Sequence, residues 1–339
     1  MRPKFTIAIP VYNRRDYLKQ AIGSSLAQTT LDFEVIVSDD CSTDDLRTVT
    51  HSFGDSRIKY YRSQDRLGPA QNHQLSVALS QGEYVINLHS DDLLLPNYLE
   101  VAGQELDRRK EAGAIYSPMA YLIDSKIIGC QTVPKIRFAN REVYLRNPWL
   151  EKFHNVSPTC CMFRRSVFDQ IGGYRKWLRF AYDYDLFMRL MRFGGGVVFF
   201  PEVLSVWRRH EEQASQTVSN QGLYDILDLW QLDEYSHWPS CEIADLVLTV
   251  LIGAMRRNSS GWVDILGQVR RRGMTARVLW GAPEAVRRKL RRRRSGADAE
   301  KDDHYELSTN LNRALDAANA LVSNWTDRTP STEGSRSHL

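Results

Sequence analysis

Two adjacent carboxylates, Asp91 and Asp92, are the residues of this chain best suited to chemistry. They follow the apolar run Tyr84–Leu88, which is short and β-prone and therefore typical of a buried strand. Open α/β sheets bind ligands beyond the carboxyl ends of their strands, and Mg²⁺ or Mn²⁺ prefers carboxylate oxygens together with the phosphate oxygens of a substrate. The pair predicts a divalent cation site. The alternative is that Asp92 only caps the helix that Pro96 begins.

The elements that must position these residues alternate between strand and helix. A second acidic pair, Asp39 and Asp40, ends another β-prone run in the same way. This alternation predicts a mainly parallel sheet flanked by helices, built from right-handed βαβ units. The predicted strands are Phe5–Pro10, Phe33–Val37, Ile58–Tyr61, Tyr84–Leu88, Ala114–Tyr116, Tyr121–Ile123, Ile127–Val133, Thr159–Phe163, Val197–Phe200 and Val203–Trp207. The main predicted helices between them are Pro96–Arg109, Ser166–Ile171 and Asp183–Phe193, with a short one starting at Pro148-Trp149.

The pattern changes to helices alone from about residue 219. The predicted helices there are Tyr224–Tyr235, Cys241–Arg257, Trp262–Arg271 and Pro283–Arg293. The sequence therefore predicts an α/β domain over 1–218, a smaller α-helical region over 219–324, and a disordered tail over 325–339.

Composition and charge narrow the setting of the protein. The five cysteines are an odd number without metal-ligand spacing, which fits a reducing compartment. A strand begins almost at the N-terminus, leaving no room for a signal peptide, and the longest apolar segment, Ala244–Met255, is shorter than a membrane span. We therefore expect a cytoplasmic protein, with a peripheral position at the inner face of the cell membrane as an extension of that expectation.

Basic residues are concentrated near the C-terminus. The segment Arg256–Arg294 holds thirteen Lys and Arg residues against two acidic ones. The stretch Arg270–Arg294 could form a basic amphipathic surface for anionic lipid, and a solvated charge run without function is the alternative. Nucleic-acid binding is not expected, because no reading motif or stacking platform accompanies the arginines.

Several short motifs occur in one order along the chain. They are Ile-Ala-Ile-Pro-Val-Tyr-Asn-Arg, Val-Ile-Val-Ser-Asp-Asp-Cys-Ser-Thr-Asp, Leu-Gly-Pro-Ala-Gln-Asn, Ser-Asp-Asp, Phe-Arg-Arg-Ser-Val-Phe-Asp-Gln-Ile-Gly-Gly-Tyr, Asp-Tyr-Asp-Leu-Phe-Met-Arg-Leu and Trp-Arg-Arg-His-Glu-Glu-Gln-Ala-Ser. Together they resemble a family 2 glycosyltransferase with the A-type, Rossmann-like glycosyltransferase fold, from about Phe5 to Ser215. Each motif alone is weak, and their shared order carries the resemblance.

The resemblance implies a nucleotide-diphosphate sugar donor, Mn²⁺ or Mg²⁺, and inversion at the anomeric carbon by direct displacement. A cation that bridges the phosphates stabilises the charge of the leaving diphosphate. Asp91 and Asp92 are in positions that resemble the family's Asp-x-Asp motif. The resemblance implies that both are cation ligands and that Asp91 also contacts the donor. His89 stands where many members have the first Asp, and it is either a replacement ligand or phosphate contact or a buried, hydrogen-bonded histidine.

The donor pocket is also predicted from the resemblance. Its nucleobase side would include the first strand turn and Asp39, whose carboxylate suits the N–H of uracil or thymine, so that UDP- and dTDP-sugars are favoured. Gln71 replaces the arginine expected before Asn72, and Arg66 is a candidate substitute. Asp40 is a less specific match to the nucleobase-binding position than Asp39. The predicted donor-binding residues are Pro10, Val11, Tyr12, Asn13, Asp39, Arg66, Gly68, Gln71, Asn72 and Asp91.

Proton transfer is assigned to Asp183, which matches the position of the family's catalytic base at the start of a helix. An inverting transfer needs one carboxylate to accept the proton of the attacking hydroxyl. The alternative is that Asp183 only caps that helix. His210 resembles the histidine of the family's Arg-x-His-x-x-x-x-Ser pattern and is assigned to the metal site or the diphosphate.

The resulting prediction is an inverting, metal-dependent glycosyltransferase that moves a sugar to a hydroxyl of a saccharide or lipid-linked glycan, in cell-surface polysaccharide or glycoconjugate synthesis. Two alternatives remain open from the residues. A sugar-phosphate nucleotidyltransferase should carry a glycine-rich loop after the first strand, which Pro-Val-Tyr-Asn-Arg-Arg is not. A non-catalytic nucleotide- or glycan-binding module would be consistent with His89, Gln71 and Tyr182, where this chain departs from the family pattern.

Overall fold

The computed structural model describes residues 2–123, 126–131, 133–134, 136–146, 157–210, 221–232 and 261–275, together with shorter pieces between 244 and 305. Strands and helices alternate through its first half. In order they are β1 (Phe5–Val11), α1 (Arg15–Leu26), β2 (Phe33–Asp39), α2 (Leu46–His51), β3 (Ile58–Arg62), α3 (Pro69–Ala78), β4 (Tyr84–Asn87), β5 (Leu93–Leu94) and α4 (Tyr98–Arg108).

The second half contains shorter strands and the helices that complete the fold. They are β6 (Ala114–Tyr116), β7 (Met119–Ile123), β8 (Lys126–Cys130), β9 (Val133–Pro134), β10 (Phe138–Ala139), α5 (Arg141–Arg146), β11 (Cys161–Arg164), α6 (Arg165–Gln170), α7 (Tyr182–Phe193), β12 (Val197–Phe199), β13 (Ser205–Arg208), α8 (Gln221–Leu229), α9 (Gly261–Arg271) and β14 (His304–Tyr305). A 3₁₀ turn, Pro158–Cys160, precedes β11.

The main sheet has eight strands in the order β10-β12-β6-β11-β4-β1-β2-β3. Strand β1 lies between β4 and β2 and is parallel to both, and β2 is parallel to β3. Strand β11 runs antiparallel between β4 and β6. The carboxyl ends of β1, β2 and β4 therefore meet at one edge of the sheet, where ligands bind in open α/β sheets.

Strands β1, β2 and β4 are buried throughout and mostly apolar because both faces of the main sheet are covered. In β1, Ile7 and Ile9 belong to the hydrophobic cluster that includes α1 and α4, whereas Ala8 faces the cluster that includes α7. Neighbouring side chains of a strand point to opposite faces, so a strand buried on both sides reads as a continuous apolar run.

A smaller sheet of four strands, in the order β5-β13-β7-β8, flanks the main one. One of its faces is a small apolar core formed by Ala120, Leu122, Val206 and their neighbours. The residues that alternate with them, such as Tyr121 and Trp207, therefore point to the other face.

The predicted α/β architecture is confirmed, and most predicted strand and helix ends lie within two or three residues of those in the structure. Helix α5 was not predicted, and β14, which pairs with β9, falls where only helices were expected. The predicted helix at Pro148-Trp149, most of Cys241–Arg257, nearly all of Pro283–Arg293 and the tail over 325–339 lie outside the described residues.

The described C-terminal helices share the hydrophobic core of the α/β part. Leu227 and Trp230 at α8 and Ile265 of α9 belong to the same cluster of buried side chains as Phe187 of α7. The division at residue 218 stays a prediction about domains, because this packing is continuous across it.

None of the helices described here combines the length and the apolar composition needed to cross a lipid bilayer.

Candidate active site

A cavity of about 970 Å³ opens at the carboxyl ends of the central strands. Its wall is formed by residues of β1, by the turns after β2 and β4, by the starts of α3 and α7, and by the four-stranded sheet. The structure brings together in this wall many of the residues predicted from sequence: Pro10, Val11, Tyr12, Arg66, Asn72, His89, Asp91 and Asp183.

Asp91 lies in the cavity wall within a cluster of charged side chains. Its Oδ2 accepts a hydrogen bond from Arg14 Nη1 at 2.6 Å and lies 2.9 Å from His210 Nε2. Burial raises the pKa of Asp91, but the His210 hydrogen bond and the charge of Arg14 outweigh it and leave the pKa below its ordinary value. Asp91 is therefore an ionised carboxylate facing the cavity with His210 beside it, and the role of His210 at the metal or the diphosphate stays a prediction.

Asp92 points away from the cavity. It is 1% exposed, its Oδ2 accepts a hydrogen bond from Thr159 Oγ1 at 2.8 Å, and its Oδ1 accepts one from the Arg208 amide at 3.1 Å. Burial and the neighbouring charge of Asp91 raise its pKa well above the ordinary value. The two carboxylates predicted to act together therefore differ, since Asp92 fixes the turn while Asp91 is presented to ligands. Asp92 is also not the cap of α4, whose N-cap residue is Asn97.

His89, Asp91 and Asp92 could together hold a metal ion, because one ligand atom of each lies within 4.8 Å of the others. Burial lowers the pKa of His89, so its imidazole is neutral and able to coordinate. Its Nδ1 lies 3.7 Å from Asp92 Oδ2 and 3.5 Å from Ser157 Oγ. An ionised carboxylate and a neutral imidazole at the cavity fit a divalent ion, with Asp92 the least available ligand.

Asp183 lies in the first turn of α7, one residue inside the helix, whose N-cap residue is Ala181. Its side chain lines the cavity, and its Oδ1 accepts a hydrogen bond from the Tyr184 amide at 2.7 Å. Burial raises the pKa of Asp183 to about 7. The proposed base is therefore not a helix cap, and its carboxyl group can exchange a proton near neutral pH.

The acidic pair after β2 is divided between the two sides of that strand. Asp39 is fully buried and faces β3, where it accepts hydrogen bonds from Tyr60 Oη at 2.5 Å and from Arg62 Nη1 at 3.3 Å. Asp40 lines the cavity instead, and its carboxylate accepts the amides of Leu67 and Gly68 at 2.6 and 3.0 Å. The structure thus places Asp40, and not Asp39, at the predicted nucleobase pocket.

Three further predicted donor residues do not line the cavity but shape its edge or lie outside it. Asn13 Oδ1 accepts the Thr43 amide at 2.9 Å and so fixes the turn after β2. Gly68 has φ of +83°, a left-handed conformation that favours glycine, and precedes α3. Gln71 is exposed on α3.

Arg66 and Asn72 remain at the cavity. The Arg66 guanidinium lies 3.7 Å from the centroid of the Tyr12 ring, so that a cation and an aromatic face are presented together. Asn72 accepts a hydrogen bond from Ser38 Oγ at 2.7 Å and donates to the Ser38 carbonyl at 2.9 Å. Arg66 thus lies at the cavity, and its role as a substitute for the missing arginine at position 71 stays a prediction, while Asn72 connects α3 to β2.

The sequence did not assign several residues that the structure brings to the site. Arg14 is in the first quoted motif, but its contact with Asp91 spans 77 positions. Thr159 Oγ1 accepts the His89 amide at 3.1 Å while donating to Asp92, and Asp225 Oδ2 accepts the amides of 179–181 at 2.6 to 3.0 Å. No local pattern marks such distant contacts.

Comparisons with known proteins agree with this geometry. A family model described as Glycosyl transferase family 2 matches residues 6–172. An uncharacterised glycosyltransferase of Rickettsia typhi is 32% identical over 230 residues, which cover 67% of this chain and 70% of the relative. A shorter match, 38% identical over 106 residues, covers 30% of this chain and 34% of the GalNAc(5)-diNAcBac-PP-undecaprenol beta-1,3-glucosyltransferase of Campylobacter jejuni.

The fold has a solved counterpart. The crystal structure of S. aureus TarS 1-349 in complex with UDP-GlcNAc superposes with a TM-score of 0.62, covering 96% of this chain and 92% of that one at 17% identity. At that identity the likeness concerns the fold alone. The motifs occur in order, Asp91 and Asp183 line one cavity, and the Rickettsia typhi relative is matched over two thirds of both chains. These findings show that this chain belongs to glycosyltransferase family 2.

Proposed function

We propose that the protein is an inverting glycosyltransferase that transfers a sugar from a UDP- or dTDP-sugar to a hydroxyl of a saccharide or lipid-linked acceptor, in the synthesis of a cell-surface polysaccharide or glycoconjugate. The observation that carries the proposal is that Asp183, with a pKa raised to about 7, lines the same cavity as the ionised Asp91. One group can accept a proton, and the other can hold a cation beside a diphosphate.

The reaction forms a bond between the acceptor oxygen and the anomeric carbon while the bond from that carbon to the diphosphate breaks. Asp183 takes the proton of the attacking hydroxyl, and the bonding electron pair leaves with the nucleoside diphosphate. Attack from the face opposite the leaving group inverts the anomeric centre. Arg14, which binds Asp91, and Arg66, which stacks on Tyr12, are cavity cations that can approach the diphosphate oxygens.

Asp91 and His89 are the residues that would hold Mn²⁺ or Mg²⁺. When bound, the ion would neutralise charge on the departing diphosphate. The imidazole makes Mn²⁺ a better match than Mg²⁺, which demands oxygen ligands in near-ideal octahedral geometry.

A uridine nucleotide as the donor is supported by the chemistry of the cavity wall and by the similarity of the fold to TarS. Asp40 replaces Asp39 as the carboxylate in the cavity wall, close to the Tyr12 and Arg66 pair. The TarS structure of similar fold contains UDP-GlcNAc. Family membership also favours glycosyl transfer over the two alternatives, a nucleotidyltransferase and a non-catalytic binding module.

A peripheral position at the inner membrane face is part of the proposal. Arg270 and Arg271 are exposed at the end of α9, whereas Arg272 forms hydrogen bonds with Asp228 at 2.5 and 2.8 Å. The basic segment Arg287–Arg294 lies outside the described residues. Arg270 would thus be presented to anionic lipid, whereas Arg271 forms an exposed ion pair with Asp264 at 3.4 Å and Arg272 fixes α9 against α8.

The test is a screen of UDP-, dTDP- and GDP-sugars for hydrolysis or transfer with Mn²⁺, with Mg²⁺ and with EDTA. We expect Asp183→Asn to lower turnover by about 10² to 10⁴, the usual contribution of a general base, while donor binding stays within a few-fold. Asp91→Asn should weaken the binding of both donor and Mn²⁺. Asp169→Asn, on a side chain that is 65% exposed on α6, is the matched control. Unchanged turnover in Asp183→Asn would overturn the assignment of the base.

A further inference from the structure

The four-stranded sheet supplies a wall of the cavity that contains none of the predicted donor residues. Tyr121 and Ile123 of β7, Ile128 of β8 and Trp207 of β13 line it. Tyr121 and Trp207 are partners in the parallel register of β7 and β13, and their ring centroids are 5.6 Å apart at an interplanar angle of 79°. Ile128 is 62% exposed. The wall is therefore a firmly positioned aromatic and aliphatic surface that is open to a ligand.

Two further arginines, Arg179 and Arg209, line the same cavity. The Arg209 amide donates to the Leu122 carbonyl at 2.9 Å, which extends the sheet, and the Arg179 amide donates to Asp225 Oδ2 at 2.9 Å. Both backbones are thus anchored. Both side chains are exposed, and within the part of the chain that the structure describes neither guanidinium forms a hydrogen bond or ion pair.

This arrangement differs from that of the other cavity arginines. Arg14 is bound to Asp91 at 2.6 Å, and Arg66 is stacked on Tyr12. Arg179 and Arg209 have no such contact among the described residues, although a guanidinium has five donors in a planar fork that matches phosphate oxygens. An anion that binds here would not compete with a protein carboxylate of the described chain.

We propose that this wall binds the acceptor, and that the acceptor is a saccharide linked to a phosphate group. Tyr121 and Trp207 would contact the apolar face of the sugar, while Arg179 and Arg209 bind the phosphate. The inference rests on the proposed function, because the bound sugar supplies the hydroxyl that Asp183 deprotonates. The acceptor phosphate takes no part in the transfer and keeps all its bonds.

The phosphate could belong to a lipid-linked sugar diphosphate or to a phosphodiester polymer, which share the chemistry that the arginines recognise. Ile123 and Ile128 would contact an alkyl chain in the first case.

The experiment measures binding to the full chain saturated with UDP and Mn²⁺, so that the donor phosphate site is filled. The probes for calorimetric titration are glucose 1-phosphate and N-acetylglucosamine 1-phosphate, each compared with the methyl glycoside of the same sugar. We expect the phosphates to bind at least about tenfold more tightly, and Arg179→Ala/Arg209→Ala to remove that advantage. Trp207→Ala should weaken phosphates and methyl glycosides alike.

The matched control is Arg108→Ala/Arg146→Ala, at surface arginines that are 68% and 75% exposed and lie outside the cavity. Equal affinity for phosphate and methyl glycoside in the wild type, or unchanged affinity in Arg179→Ala/Arg209→Ala, would overturn the proposal. Because binding needs no turnover, a chain without donor hydrolysis would contradict the proposed function but not this result.

A second pair of probes distinguishes the two sources of phosphate. One is a sugar diphosphate carrying a farnesyl chain, and the other is a sugar methyl phosphodiester. Tighter binding of the farnesyl compound, lost in Ile128→Ser, supports the proposal and assigns a lipid-linked acceptor. Equal binding of the two supports the proposal and assigns a phosphodiester polymer. Binding of neither contradicts it.

Discussion

Asp183 derives its chemistry from its surroundings. It is placed in a cavity wall that partly shields it from water, and burial is the largest cause of the rise in its pKa to about 7. The charge of Asp225 raises it further, while the Tyr184 amide acts in the opposite direction. A carboxyl group with this pKa is a far better proton acceptor at neutral pH than one in water.

The pH dependence of turnover should report this group. Because the base must be ionised, we expect kcat/KM to rise with pH and to level off above an inflection near 7. The measurement is kcat/KM between about pH 5 and about pH 9 at saturating Mn²⁺. The residual turnover of Asp183→Asn should lack that inflection, and an inflection that persists in this variant would assign it to another group.

The acidic pairs show what the sequence can and cannot determine at the residue scale. Both pairs are recognisable because each ends a β-prone run. Which member faces the ligand depends on which side of the strand it occupies, and neighbours along a strand point to opposite sides. Asp39 is paired in register with Arg62 of β3, and the following residue, Asp40, therefore reaches the cavity. That choice is set by the neighbouring strand.

At the scale of elements, a side chain of α8 forms hydrogen bonds with the turn before α7. Asp225 is 3% exposed, and its Oδ2 accepts the amides of Arg179, Phe180 and Ala181. These amides belong to the turn that leads into α7 and to Asp183. A residue of the C-terminal helices therefore positions the predicted base.

Two substitutions of Asp225 distinguish the effect of its charge on the pKa of Asp183 from its effect on the position of Asp183. Asp225→Asn keeps an acceptor oxygen but removes the negative charge, so the kcat/KM inflection should move to lower pH. Asp225→Ala also removes the hydrogen bonds, and we expect kcat to fall about tenfold or more while KM for the donor changes little, because the base is displaced.

Asp228→Asn is the control for these substitutions. Asp228 is on the same helix and forms an ion pair with Arg272, and among the described residues it forms no hydrogen bond or ion pair with the turn before α7. It should change neither the inflection nor kcat. An unmoved inflection in Asp225→Asn would show that Asp225 has a structural role only.

Regular elements are predictable where a pattern repeats within one segment. The central strands are identified because they are buried on both faces, and α7 because its apolar positions recur at helical spacing. Helix α1 begins just after Asn13, a residue type that commonly caps helices, but Asn13 binds the turn after β2 and the N-cap residue is Arg14. The contact between Asn13 and the distant Thr43 amide determines where α1 begins, and the local sequence gives no sign of that contact.

At the scale of the whole molecule, the C-terminal helices complete the main hydrophobic core. Trp230 is 1% exposed and lies in the same cluster as Tyr116 and Phe187. We expect Trp230→Ala to lower the free energy of unfolding by about 3 to 5 kcal/mol, the usual loss for a large buried aromatic side chain. A chain that ends at residue 218 should therefore fail to purify as a folded protein.

Urea unfolding followed by circular dichroism tests this prediction. Trp177→Ala is the matched control, since Trp177 is 49% exposed and its loss should change stability by no more than about 0.5 kcal/mol. An unfolding midpoint that is the same for Trp230→Ala and the wild type would show that the C-terminal helices fold independently of the sheet.

The buried carboxyl group of Asp183 also couples folding to proton uptake. Its pKa is about 7 in the folded chain, whereas the pKa of a free aspartate side chain is 3.8, so between these values the folded protein holds a proton that the unfolded chain has released. Its contribution to stability is complete below the lower value and is lost as pH rises through the upper one. Asp183 therefore contributes least to stability at the pH where its carboxylate can accept a proton, and the rest of the fold must hold this ionised base in the cavity wall.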